Sequence, residues 1–139
     1  MGLSLFLKSV KYESLKMNFN QLDNWIKYIN TGEYDNLVSM YSTEALLFAT
    51  FDSQPLDTPL LIQGYFKGFL AKEGSGVELN SSSVRHVALG DSGYSSTGLY
   101  TFFFKEDGQL IRHAARFTFI FSQDSSAPIL HHHSSVIPA

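Results

Sequence analysis

The second half of the chain does most to limit the fold. "STGLYTFFFKEDGQLIRHAARFTFIFS" holds two long runs of strand-forming residues joined by Glu106-Asp107-Gly108-Gln109. An Asp-Gly pair between apolar runs is a hairpin signal, and so short a loop can join only antiparallel neighbours. "VRHVALG" leads into the pair through Gly90-Asp91, and "QDSSAP" turns the chain into a last strand, "ILHHHSSVIP". An antiparallel meander follows. Within it, Phe117, Phe119 and Phe121 share one face, while Arg116 and Thr118 share the other. If the second face lined a pocket, Arg116 would bind an anion; if the phenylalanines face inward, it is an edge or interface arginine.

Helical signals come earlier. Asn20 stands where an N-cap belongs, with Asp23 in the capping-box position, and Leu22, Trp25, Ile26 and Ile29 trace one stripe that stops at Gly32. A second short helix is expected over Tyr34–Tyr41, with Leu37, Val38 and Tyr41 turned inward. "ALLFATF", residues 45–51, is apolar on both faces and predicts a buried strand. After the loop "DSQPLDTP", Thr58 caps a third helix with Pro59 at its first position, and Ile62, Tyr65, Phe66, Phe69 and Leu70 form its apolar face. "AKEGSG" ends that helix, and a Gly/Ser-rich connection runs through "NSSS". Three N-terminal helices packed on a curved antiparallel sheet is an α+β arrangement, the outline of the nuclear transport factor 2-like (NTF2-like) cone, with a conical pocket between the layers. That scaffold hosts many unrelated functions.

The 139 residues fit one domain, placed over residues 20–139 behind an extension, 1–19, in which Leu3, Phe6, Leu7 and Val10 fall at helical spacing. With no cysteine, thiol catalysis and Cys-ligated zinc are excluded. A net charge of −3 and the lack of a basic stripe argue against nucleic acid, and no apolar run approaches a membrane span. No leader is visible, so the cytoplasm is the default compartment, an organelle such as the chloroplast remaining open if a leader was removed.

Five histidines occur, and three are consecutive: His131, His132 and His133. Three is short for an affinity tag, and the run lies inside a strand pattern. Alternation puts His131, His133 and Ser135 on one side and His132 with Ser134 on the other. His131 and His133, joined by His86 or His113, could ligate Zn or Mn; equally, the imidazoles could be exposed or hydrogen-bonded at a sheet edge. Tyr65, on the buried helix stripe, needs a hydrogen-bond partner that either a backbone carbonyl or a pocket could supply. Thr50 shares a face with Phe48 and Leu46, its hydroxyl either bonded back to the chain or aimed into a cavity. The carboxylates sit at helix ends and turns rather than mid-strand, which weakens any proton-abstracting Asp and hence a cyclase or dehydratase.

"NTGEYDNLVSMYSTEALLFATF", "TPLLIQGYFKGFL", "RHVALGDSGYSSTGLYTFFF", "ARFTFIF" and "HHHSSVIP" together resemble the association-domain family of calcium/calmodulin-dependent kinase II, and within it the branch of iota-class carbonic anhydrases. The resemblance spans residues 22–138. It implies a lyase that hydrates CO2 reversibly to bicarbonate in the cone, in some members with a metal and in others with none. Matched residue by residue, it implies Thr50, Tyr65, His132 and Ser134 as the catalytic and substrate-binding set, with Phe48 beside them and His133/Ser135 as the other choice of His-Ser pair. His132/Ser134 is preferred because it continues the face of Leu130. A homodimer is expected, and a non-catalytic association module is the alternative. Relatives carry a Trp just before the last strand, where this chain has "SSAPIL".

Overall fold

The computed structural model describes residues 17–139. The elements run α1 (Gln21–Asn30), α2 (Tyr34–Ser39), β1 (Tyr41–Phe48), α3 (Pro59–Ala71), β2 (Gly76–Ala88), β3 (Gly93–Glu106), β4 (Gln109–Ser122) and β5 (Ile129–Val136). The strands form one five-stranded sheet in the order β1-β5-β4-β3-β2. Strands β2 to β5 are the expected meander, but β1 lies parallel to β5, so the sheet is mixed. Most of the chain separates β1 from β5, and no short loop dictates its direction.

Local chemistry accounts for the boundaries. Thr58 accepts the Leu61 N–H at 3.2 Å and Pro59 opens α3, as its sequence requires. Gly32 closes α1 with φ of +67°, in the left-handed region that Gly enters without strain. Asn20 makes no side-chain cap: its backbone is already helical, at φ −91° and ψ −2°, rather than in the extended form a capping side chain needs. Asp107 and Gly108 both take positive φ, 51° and 79°, in the hairpin turn their pairing predicts.

Two expectations are corrected. The second helix stops at Ser39, and Tyr41 begins β1 instead of ending α2. "NSSS" is no connection but part of β2, where the register slips between Asn80 and Arg85. Pairing to β3 on either side of the slip, through Asn80 and Arg85, carries the strand past serines whose composition does not announce it.

The helices cover the concave face of the sheet. Trp25 (α1) stacks on Tyr100 there and meets Phe119 and Phe66 (α3) edge-on, all essentially buried. Phe117, Phe119 and Phe121 face this core, each side chain stabilising the fold by about 1.5–3 kcal/mol. Arg116 points the other way and donates from Nε to Ser135 Oγ at 3.2 Å. Phe19 stacks on His86 with centroids 4.9 Å apart, so packing begins ahead of Asn20. The helical spacing in the extension lies outside the described residues. No helix among the described residues is long and apolar enough to cross a membrane.

Asn30, the last residue of α1, ties that helix to the sheet edge. Its Oδ1 accepts the Val77 N–H and its Nδ2 donates to the Val77 carbonyl, both at 2.8 Å. The amide thus does for Val77 what a neighbouring strand would. Asn30→Ala leaves both backbone groups unpaired at a buried residue and is expected to lower unfolding free energy by about 2 kcal/mol, read from urea denaturation.

Candidate active site

Strand β5 brings the site together, and a bulge decides which of its histidines takes part. Ile120 pairs with His131 while Phe121 pairs with Ile129, so Leu130 is the extra residue. Ile129, His132 and Ser134 face the core; Leu130 is 45% exposed. The preference for His132/Ser134 over His133/Ser135 therefore agrees with the observed facing, but not for the reason of following Leu130. Had the alternation run unbroken from Ile129, His131 and His133 would face inward.

His132 is 2% exposed. Phe119 stacks on its ring with centroids 3.8 Å apart, and Trp25 meets it edge-on at 5.3 Å. Both nitrogens are engaged: Nδ1 with the Tyr41 hydroxyl at 2.8 Å, Nε2 with the Tyr100 hydroxyl at 3.1 Å. Trp25 Nε1–H donates to Tyr41 at 3.0 Å. From Tyr100 the contacts continue to Ser134 Oγ at 2.7 Å, and from Ser134 to Thr50 Oγ1. Six side chains thus form one unbroken polar chain through an aromatic core.

Burial first, then the neighbouring His131 and His133, hold the His132 imidazole well below its ordinary value, so it is neutral. Desolvation likewise raises the Tyr41 and Tyr100 phenols, keeping both protonated. Tyr65 lies beside this chain rather than within it. Its phenol is also raised by burial, against the opposing effect of the Phe51 backbone N–H. Its ring meets Phe66 edge-on, with centroids 5.2 Å apart. It also borders a cleft of about 310 Å³ between α3 and the turn after β1, with Phe51, Phe69 and Lys72. Gly64 and Gly68 leave open space along that wall.

Thr50, Ser134 and His132 are therefore brought together, while Tyr65 lines the cleft with Phe51, the residue after Thr50. Phe48 is not. β1 ends at Phe48, whose ring sits on the outer face against His131 and His133, at centroid distances of 6.0 and 5.5 Å. Thr50 lies in the turn beyond, where strand alternation no longer applies, so it does not share a face with Phe48. The metal ligand set does not assemble either. His131 and His133 face outward, His86 bonds Ser96 at 2.7 Å, and His113 stacks on Phe104. Among the described residues no three of His, Asp and Glu are placed to hold an ion.

Sequence reasoning did not identify Trp25, Tyr41 and Tyr100 as members of the site. Tyr100 alternates inward with Phe102 and Phe104, so the argument applied to Tyr65, a phenol in an apolar row, would have found it. Tyr41 was hidden by its assignment to a helix.

A mixed sheet with helices on its concave face and a polar cluster against that face is an NTF2-like cone. The calcium/calmodulin dependent protein kinase II association domain family matches residues 17–138, and the chain belongs to that family. A structure from Xanthomonas campestris, described as a candidate domain of the same kind, is 26% identical, covers 86% of this chain and 84% of its own, and superposes with a TM-score of 0.76. An NTF2-like protein with a cystatin-like fold from Novosphingobium aromaticivorans shares 10% identity over 99% of this chain and 88% of its own, TM-score 0.67. A candidate dehydratase of the NTF2-like family from Streptomyces avermitilis shares 13% over 83% and 90%, TM-score 0.70. The last two likenesses carry the fold alone. No curated protein matches the chain.

The buried imidazole makes stability depend on pH. The unfolded chain protonates His132 near 6.5 while the folded protein does not, so its contribution is full above that value and lost as pH falls. Urea denaturation between pH 7.5 and 5.5 should show stability falling by up to about 1.4 kcal/mol per unit below 6.5 from this group. His132→Gln should remove that slope while leaving the smaller parts from His86 and His131, which are also lowered by burial.

Proposed function

We propose that this protein is a carbonic anhydrase, hydrating CO2 reversibly to bicarbonate, and that hydroxyl groups rather than a required metal hold the anion. The observation carrying this reading is the convergence of the Thr50 and Ser134 hydroxyls, through Tyr100, on a neutral His132. The family resemblance in "HHHSS" points to the same residues.

The reaction consumes CO2 and water and yields bicarbonate and a proton. As the water oxygen bonds to carbon, an electron pair of one C=O moves onto oxygen, and the charge must be met by donors already in place. The Thr50 and Tyr65 hydroxyls are suited to that task because both phenol and alcohol stay protonated at working pH. Aromatic walls, including Phe51 and Phe69, offer CO2 an apolar approach. His132 has neither nitrogen free to meet a substrate water; it orders the hydroxyl chain, and the proton leaves to a solvent base.

A second reading, assembly, is favoured by the family's description and by the outer sheet face. Phe48, Leu130 and Val136 there are 36, 45 and 48% exposed. Catalysis and a homodimer through this face are compatible; a large ring without CO2 hydration would leave assembly as the sole role. Light scattering should report a dimer, and Phe48→Glu a shift to monomer.

Stopped-flow CO2 hydration after exhaustive chelation tests the main reading. Activity should persist, and Thr50→Val and Ser134→Ala should each lower kcat on the order of 10²-fold, with Tyr65→Phe also impaired. Rates unchanged in all three variants would remove these residues from the reaction.

A further inference from the structure

Trp25 is the one member of the buried chain that can only donate a hydrogen bond. Its indole N–H occupies the Tyr41 oxygen at 3.0 Å, which leaves the single Tyr41 hydrogen for the remaining partner, His132 Nδ1 at 2.8 Å. Nδ1 is then an acceptor, and a neutral imidazole must carry its hydrogen on Nε2. That N–H donates to Tyr100 at 3.1 Å; Tyr100 donates to Ser134 at 2.7 Å; Ser134 donates to Thr50. Every hydrogen in the chain is committed except the last. Thr50 is only half-buried, and its hydroxyl hydrogen has no further partner among the described residues.

We infer that Trp25 sets the direction of this chain, so that Thr50 presents a fixed donor to the ligand and the site selects an oxyanion over any ligand that must itself donate there. The reverse direction is closed. It would put a hydrogen on Nδ1 facing the Tyr41 oxygen, already receiving the indole, and leave the Tyr41 hydrogen unpartnered in an aromatic core. The raised phenols and lowered imidazole agree with this: no member of the chain gains or loses a proton at working pH, so the direction persists. Trp25 and His132 are on this view positioning residues, separated from Thr50 by five and three hydrogen bonds respectively. Only the identity of the oxyanion as bicarbonate rests on the function proposed above.

The tautomer of His132 is the direct readout. In the full chain with 15N-labelled histidine, two-bond 1H–15N spectra separate Nε2–H from Nδ1–H, and His132→Gln identifies the resonances. The wild type should show neutral His132 with its hydrogen on Nε2. Trp25→Phe, which removes the indole link, and Tyr41→Phe, which removes both bonds at Tyr41, should shift it to a mixture or to Nδ1–H. Bicarbonate added as probe should bind the wild type roughly tenfold more tightly than Trp25→Phe, as expected for one weakened hydrogen bond to a charged group. Nδ1–H in the wild type overturns the inference, as does Nε2–H retained in both variants, or bicarbonate bound by the wild type and by Trp25→Phe with equal affinity. Should one variant fail to fold, the other decides, and the wild-type tautomer decides if both fail. A wild type that shows the tautomer and its loss in the variants, yet hydrates no CO2, refutes the proposed reaction and leaves this inference standing.

Discussion

An imidazole sealed among aromatic rings must have both nitrogens hydrogen-bonded, because an unpartnered polar group there costs about 1–3 kcal/mol. His132 sets that demand, and much of the inner architecture answers it. Tyr41 comes from β1, Tyr100 from β3, Phe119 from β4 and Trp25 from α1, so four separate elements are pinned to one ring. Such a network is a poor choice for stability alone: apolar residues of the same volume would pack as well without needing partners. Its value lies in direction. A row of groups with assigned donors and acceptors is a preorganised electrostatic environment, which is what a developing oxyanion requires.

The scaffold supplies that order through details of strand geometry. One extra residue in β5, Leu130, turns His132 inward and leaves His131 and His133 on the surface. The turn after β1 then swings Thr50 back over the strand end, helped by the Leu47–Leu56 pairing that folds the following loop against β1. Without the bulge the wrong imidazoles would face the core; without the turn the polar chain would end at Ser134.

Much of this was legible in the sequence, and the gaps have physical causes. Asp107-Gly108 and the alternating phenylalanines announced the hairpin and its buried face, because turn conformation and side-chain alternation are local properties. Thr50 and Tyr65 were identifiable as polar groups in apolar settings, whereas His132 and Ser134 came from the family resemblance, with His133/Ser135 as the other choice. Phe48 was misplaced because alternation was carried past the end of β1, and the parallel placement of β1 was invisible because nothing local encodes it. The bulge at Leu130 had no signature either; it shows only in the pairing of β5 with β4. Trp25 and Tyr41 joined the site only through contacts between residues far apart in sequence, which no window along the chain contains.

The slip in β2 between Asn80 and Arg85 has an effect beyond its own strand. β2 is the outermost strand on its side, and a flat free edge would invite another chain to add a strand. Here the edge is interrupted by the displaced serines and partly occupied by the Asn30 amide at Val77. Uninterrupted growth of the sheet on that side is blocked, and copies of this protein that associate are steered toward laying one sheet's broad surface on another instead of zipping backbones into a longer ribbon.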